Sequence, residues 1–138
     1  MQVAAEQTWP YVHNEDEMGS LVKQFVAQQD KIANEQELKI LAGLLHESFR
    51  YYHPHFSINY SKDKWLDAMR LKFKHKPQTR FVNTQIITVN YALNAAYVQQ
   101  QSDWEQEVNG KWFARNTSKI VSLFEFKDGK ISAIREYW

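Results

Sequence analysis

The sequence predicts an α+β domain with helices on one face of an antiparallel sheet. Three observations carry this. Apolar residues recur at helical spacing through the first half of the chain, behind two asparagine caps. From Arg80 onward Val, Ile, Thr, Tyr and Phe dominate, which favours strands. Two turn dipeptides, Asn109-Gly110 and Asp128-Gly129, then divide that stretch into hairpins. Helices first and long strands last is the α+β order. The 138 residues make one domain, and 43% apolar residues are enough to build its core.

Residues 1–13 read as an irregular arm, with Trp9-Pro10-Tyr11 placed to pin it to the body; a frayed end is the alternative. Asn14 followed by Glu17 is a capping pattern, and Met18, Leu21, Val22, Phe25 and Val26 follow at helical spacing. Asn34 with Glu37 repeats it ahead of Leu38, Leu41, Leu44 and Leu45. The spacing therefore predicts helices over 15–32 and 35–45. The aromatic-rich stretch 49–56 reads as a short strand stopped at Pro54. Ser61 caps a third helix with Trp65, Leu66, Met69 and Phe73 on its apolar face and Pro77 beyond its end. Strands are expected over 80–92, 95–107, 111–126 and 130–138.

Composition narrows the function classes. A net charge of +1 supplies no global field for nucleic acid or an anionic membrane. No apolar run reaches the roughly 20 residues of a membrane span. Met1 to Thr8 lack the basic and apolar regions of a secretory leader, so none is expected, and the lack of cysteines makes a reducing cytoplasm the simplest home. There are no cysteines, so disulfides and thiolate chemistry are excluded. Aromatics reach 14%, which suits a pocket wall or an oligomer interface. A glycine-rich phosphate loop, a serine-nucleophile elbow and a two-histidine zinc helix are all missing, and no cofactor is indicated.

Three features in order carry a resemblance. A helical half runs into Tyr51-Tyr52-His53-Pro54; a short helix leads into long strands; and the chain closes on Ser122-Leu123-Phe124-Glu125-Phe126-Lys127-Asp128-Gly129-Lys130-Ile131 and Arg135-Glu136-Tyr137-Trp138. Over about residues 20–138 this resembles the nuclear transport factor 2-like superfamily, in particular its SnoaL-like and ketosteroid isomerase-like proteins. The resemblance implies a cone-shaped sheet closing over a pocket for a small apolar molecule, and a homodimer through the outer sheet face. The fold hosts isomerases, cyclases, dehydratases, hydrolases and non-catalytic modules, so it does not fix a reaction.

Candidate site residues follow from strand alternation and from the resemblance. On the 111–126 strand, Trp112, Asn116, Ser118 and Ser122 share an uncharged face with Ala114, Ile120 and Phe124, which is assigned to the concave interior. Backbone bonding of those hydroxyls is the alternative. By resemblance His53 takes the place of a catalytic aspartate, Ser122 that of a protonated acid, and Trp138 that of a pocket aromatic. His53 is the candidate acid or base, since imidazole titrates near neutrality; a hydrogen-bonded strand-end histidine is the alternative. Glu136 alternates with Ile134 and Trp138 and would point inward as a buried acid with a raised pKa, partnering His53. Pairing with an Arg or Lys at the sheet rim is the alternative.

Tyr51 and Trp138 would shape the wall, and Trp65 is counted with the ligand-binding residues. Asp103 joins the pocket only in one of two registers for the 95–107 strand. Ala96, Val98 and Trp104 favour the other, and a bulge would reconcile them. His53 and His55 would need His46 or an acid to complete a metal site, and the basic run Arg70, Lys72, Lys74, His75, Lys76 and Arg80 reads as a solvated face. The absence of a tyrosine on residues 15–45 and of an acid at Ser122 argues against steroid isomerisation itself. The expectation is acid–base chemistry on a small apolar carbonyl or polyketide-like substrate, with ligand binding alone or a dimeric interaction module as alternatives.

Overall fold

A computed structural model describes residues 11–75 and 77–138. Trp9 and Pro10, the proposed pin of the arm, lie outside the described residues. Helices α1 (Glu15–Gln29), α2 (Glu35–Ala42) and α3 (Lys62–Lys74) accompany six strands: β1 (Leu45–His53), β2 (Ile58–Ser61), β3 (Thr79–Ala92), β4 (Ala95–Val108), β5 (Lys111–Lys127) and β6 (Lys130–Tyr137).

The caps form as the sequence requires. Asn14 and Asn34 side chains accept the Glu17 and Glu37 amides at 2.8 and 2.9 Å, and Ser61 accepts that of Lys64 at 3.3 Å. Asn109 (φ 53°) with Gly110 (φ 79°), and Asp128 (φ 50°) with Gly129 (φ 78°), take the paired left-handed geometry of a two-residue hairpin.

The strands form one curved, unclosed sheet in the order β2-β1-β6-β5-β4-β3. It is mixed rather than wholly antiparallel, because β1 runs parallel to β6, with Leu45 opposite Ile131 and Tyr51 opposite Ile134. That long-range pairing draws β1 back to Leu45, a residue assigned by spacing to the second helix. A turn of 3-10 helix at Pro54–Phe56 then folds β2 back against β1. Pro54 stops the strand as anticipated, but the edge strand after it has too little apolar alternation to be seen in the sequence.

The helices cover the inner face. Phe25 packs on Trp65 and Phe124 at centroid distances of 5.8 and 5.7 Å, and Phe49 meets Trp65 at 5.6 Å. These rings, with Met18, Leu38, Leu41, Leu45 and Ile131, fill one end of the space under the sheet. Register shifts in β3 (between Val82 and Gln85, and between Ile86 and Thr88) and between Asp103 and Glu105 on β4 bend the other end away from the helices. A hollow opens there.

Candidate functional site

The hollow is a cavity of about 700 Å³ between the inner sheet face, the end of α1 and the flank of α3. Tyr51, Phe81, Trp104, Ile120, Met69 and Trp138 supply its apolar and aromatic wall, and Glu136, Gln100, Ser102, Asn116 and Ser118 its polar positions on the sheet. Thr84 and Asp30, with Lys72 and Arg80, complete the lining toward the helices and β3.

Glu136 is the innermost charged group, only 5% exposed. It stands opposite Ser122 in the β5–β6 pairing, and Ser122 is fully buried behind it. Gln100 Nε2 donates to Ser122 Oγ at 3.0 Å, and Ser122 Oγ donates to Glu136 Oε2 at 3.0 Å. Burial pushes the Glu136 carboxyl above the usual carboxylate range. The hydroxyls of Tyr51 and Ser122 and the charge of Lys72 pull it partly back, and the Asp30 charge pushes it up further. Burial also pushes the Tyr51 hydroxyl well above the ordinary tyrosine value, and the adjoining Glu136 carboxylate adds to this. Each group thus favours a shared proton over two charges.

At the mouth, Thr84 donates to Asp30 and meets Ser102 Oγ at 2.6 Å. Partial desolvation at the rim raises the Asp30 carboxyl, against the opposing effects of Thr84 and Lys72. Trp104 Nε1 donates to Asn116 Oδ1, fixing an indole edge to the β5 wall.

Of the sequence candidates, Glu136, Tyr51, Asn116, Ser118 and Trp138 come together around this cavity. Ser122 sits one layer behind it, as the support of Glu136. Trp65 does not reach it, because its ring is taken by Phe25, Phe49 and Tyr51 in the core. Asp103 points to the outer side, where Thr117 donates to it at 2.8 Å.

Trp112 is also absent from the wall, and the cause is the bulge between Asp103 and Glu105. Thr117 faces Asp103, but Ala114 faces Glu105, so three residues of β5 span two of β4. The extra residue reverses the alternation, and Trp112 lies under the Arg80 guanidinium at 3.8 Å, beside the Arg80–Glu105 ion pair of 2.9 Å.

His53 is the largest departure. It is 1% exposed, yet it is not part of the cavity lining. Its ring packs edge-on against Trp138 at 4.5 Å and tilted against Phe56 at 4.6 Å, and it is Trp138 that lines the cavity. Neither ring nitrogen has a hydrogen-bond partner, and burial lowers its pKa, with its own backbone opposing this and the nearby His55 adding to it. His46 is engaged elsewhere, with Ser48 at 2.7 Å and Asp128 at 3.6 Å. Among the described residues no three His, Asp or Glu side chains converge as metal ligands.

Sequence reasoning missed Gln100, Ser102, Thr84, Asp30 and Lys72. The signal for the first two was present: they continue the alternation of Ala96 and Val98, so they are polar residues at interior positions. Asp30 and Lys72 come from helix flanks, where periodicity does not say which edge overlooks a hollow.

No family model matches the sequence, and no curated protein matches it. The fold has clear relatives among solved structures. A nuclear transport factor 2-like protein from Anabaena variabilis is 15% identical, with 92% of each chain covered and a TM-score of 0.63. A protein with a ketosteroid isomerase-like fold from Catenulispora acidiphila, solved with trimethylamine, is 9% identical over 86% of this chain and 84% of that one, with a TM-score of 0.65. A candidate polyketide cyclase from Xanthomonas campestris is 11% identical over 91% and 93%, with a TM-score of 0.64. At these identities the likeness establishes architecture, and candidate isomerases and cyclases share it. The chain has the nuclear transport factor 2-like fold, in the form shared by ketosteroid isomerase-like and SnoaL-like proteins.

Proposed function

We propose that the cavity binds a small, largely apolar carbonyl compound and that Glu136 moves a proton on it, in an isomerisation, cyclisation or dehydration. The observation that carries this reading is a buried carboxyl with a raised pKa on the wall of a cavity that has room for a ligand. As a carboxylate, Glu136 would take a proton from the carbon next to the carbonyl and return it at another position. As Glu136 takes that proton, the Tyr51 hydroxyl, which donates to this carboxylate in the free protein, would turn its hydrogen to the carbonyl oxygen and stabilise the enolate that forms. Trp104, Trp138 and Phe81 would hold the ring body, and the Gln100–Ser122 chain would keep the carboxyl aimed. His53 enters no step, because Trp138 separates it from the cavity.

Deuterium exchange at the carbons flanking the carbonyl of 4-phenylcyclohexanone, followed by proton NMR in D2O, tests this without knowledge of the natural substrate. Exchange should be accelerated by the protein and fall about a hundredfold or more in Glu136→Gln with binding kept. Binding without acceleration would favour a non-catalytic ligand carrier built on the same cavity. A homodimer is part of the same proposal: Tyr97 and Tyr137, 40% and 48% exposed on the outer sheet face, offer it aromatic area. Sedimentation at micromolar concentration tests it, and a monomer would remove it.

A further inference from the structure

The mechanism just given does not use the chain of polar side chains formed by Ser102, Thr84 and Asp30 at the cavity. Its hydrogen bonds have a direction. Thr84 gives its only hydroxyl hydrogen to Asp30, so in the 2.6 Å contact with Ser102 it accepts, and Ser102 donates. Ser102 Oγ and the second carboxylate oxygen of Asp30 are then both left as acceptors beside the cavity, and Ser102 is 1% exposed. Two acceptor oxygens that face one space, the serine buried and the carboxylate at the rim, are placed to receive a hydroxyl hydrogen from a ligand between them.

Its place is set by strand register. Ser102 faces Ser118 on β5, whereas Ser122, which supports Glu136, faces Val98. The two polar stations are thus four residues of β4 apart, about 13 Å of strand at the backbone. Gln100, Ile120 and Trp104 line the space around and between them. The chemistry of the donor is narrowed by Lys72. Its ammonium lines the same cavity and acts on both acids, so a cationic group would meet a like charge, whereas a neutral hydroxyl would not.

We infer that the Ser102–Thr84–Asp30 chain is a second recognition station, which binds a neutral hydroxyl group of the ligand while the carbonyl is held at Glu136. This rests on the cavity reading above and adds a specificity determinant to it: the substrate is a hydroxy-carbonyl compound with its two polar groups at opposite ends of an apolar body.

Quenching of tryptophan fluorescence measures the affinity of probes directly, since Trp104 and Trp138 line the cavity. Three probes suffice: 4-phenylcyclohexanone, its para-hydroxyphenyl derivative, and its para-(aminomethyl)phenyl derivative. The hydroxyl compound should bind about tenfold or more tightly than the parent, as expected for a hydrogen bond to a charged acceptor chain. The advantage should vanish in both Thr84→Val and Asp30→Ala, while the parent binds the variants as it binds the wild type. Asp30 is at the rim and exposed, so its variant keeps the test open if Thr84→Val fails to fold. Equal affinity of parent and hydroxyl compound, or an advantage that survives both substitutions, would overturn the station. Tightest binding of the aminomethyl compound would overturn the neutral-hydroxyl assignment. If neither ketone binds, the cavity reading itself fails and the station with it, an outcome distinct from equal binding.

Discussion

Ser122 Oγ donates to Oε2 of Glu136 across 3.0 Å, between residues that face each other on β5 and β6. Because Gln100 already donates to Ser122, the serine hydrogen is committed to the carboxylate, and any proton on Glu136 must sit on Oε1. Ser122→Ala removes that donor. It should destabilise the fold by about 1–3 kcal/mol and push the Glu136 pKa further up. A pH–rate profile for the exchange reaction should move to higher pH. A profile left in place would show that Ser122 is only packing.

Glu136 ties stability to pH with a sign that follows from its shift. Its folded pKa lies above the ordinary value of 4.5, so the native state binds the proton more tightly than the unfolded chain. Stability is therefore greatest below about that value, declines as pH rises through the folded pKa, and then levels off. Glu136→Gln should flatten this slope and be the more stable protein at neutral pH. Urea unfolding from pH 4 to pH 8 on both proteins checks it.

His53 acts in the opposite sense. Burial lowers its pKa from the ordinary 6.5, so the folded state resists protonation. Its contribution is fully present above about pH 6.5 and is lost as pH falls through the folded value. Two orphaned ring nitrogens also carry a desolvation penalty. His53→Phe, an apolar ring of similar shape beside Trp138 and Phe56, should therefore match or exceed wild-type stability at pH 7 and remove its share of acid sensitivity. It should leave exchange turnover unchanged. Unfolding at pH 5 and pH 8, with the exchange assay, separates these effects.

What the sequence reveals and conceals divides along range. The Asn14, Asn34 and Ser61 caps and the two glycine turns were legible because each is decided within four residues. The parallel β1–β6 pairing and the edge strand Ile58–Ser61 were not, because each depends on a partner strand rather than on local pattern. Alternation on β5 located Ser118 and Asn116 and then misled at Trp112, since one extra residue at the bulge inverts every position beyond it. Glu136 was found because β6 is short and regular. His53 and Trp138 were both assigned to the cavity by resemblance, and of the two only Trp138 lines it.

His13 carries a structural role invisible to periodicity. Its Nε2 accepts the Gly129 amide at 2.8 Å, and its backbone amide and Nδ1 both meet Asn94 Oδ1 at 2.8 Å. One buried ring thereby joins the β3–β4 turn to the β5–β6 turn. His13→Ala should cost about 1–3 kcal/mol and speed amide hydrogen exchange at Gly129. Protection of Gly129 equal to the wild type would show that the turns hold without it.

The most direct single measurement is a carbon NMR titration of the protein labelled at the glutamate carboxyl carbons, with Glu136→Gln identifying the resonance. Glu136 should titrate above its ordinary value of 4.5 and shift when 4-phenylcyclohexanone is added. A Glu136 resonance that titrates in the ordinary carboxylate range and ignores the ketone would contradict a buried acid working on a ligand in this cavity.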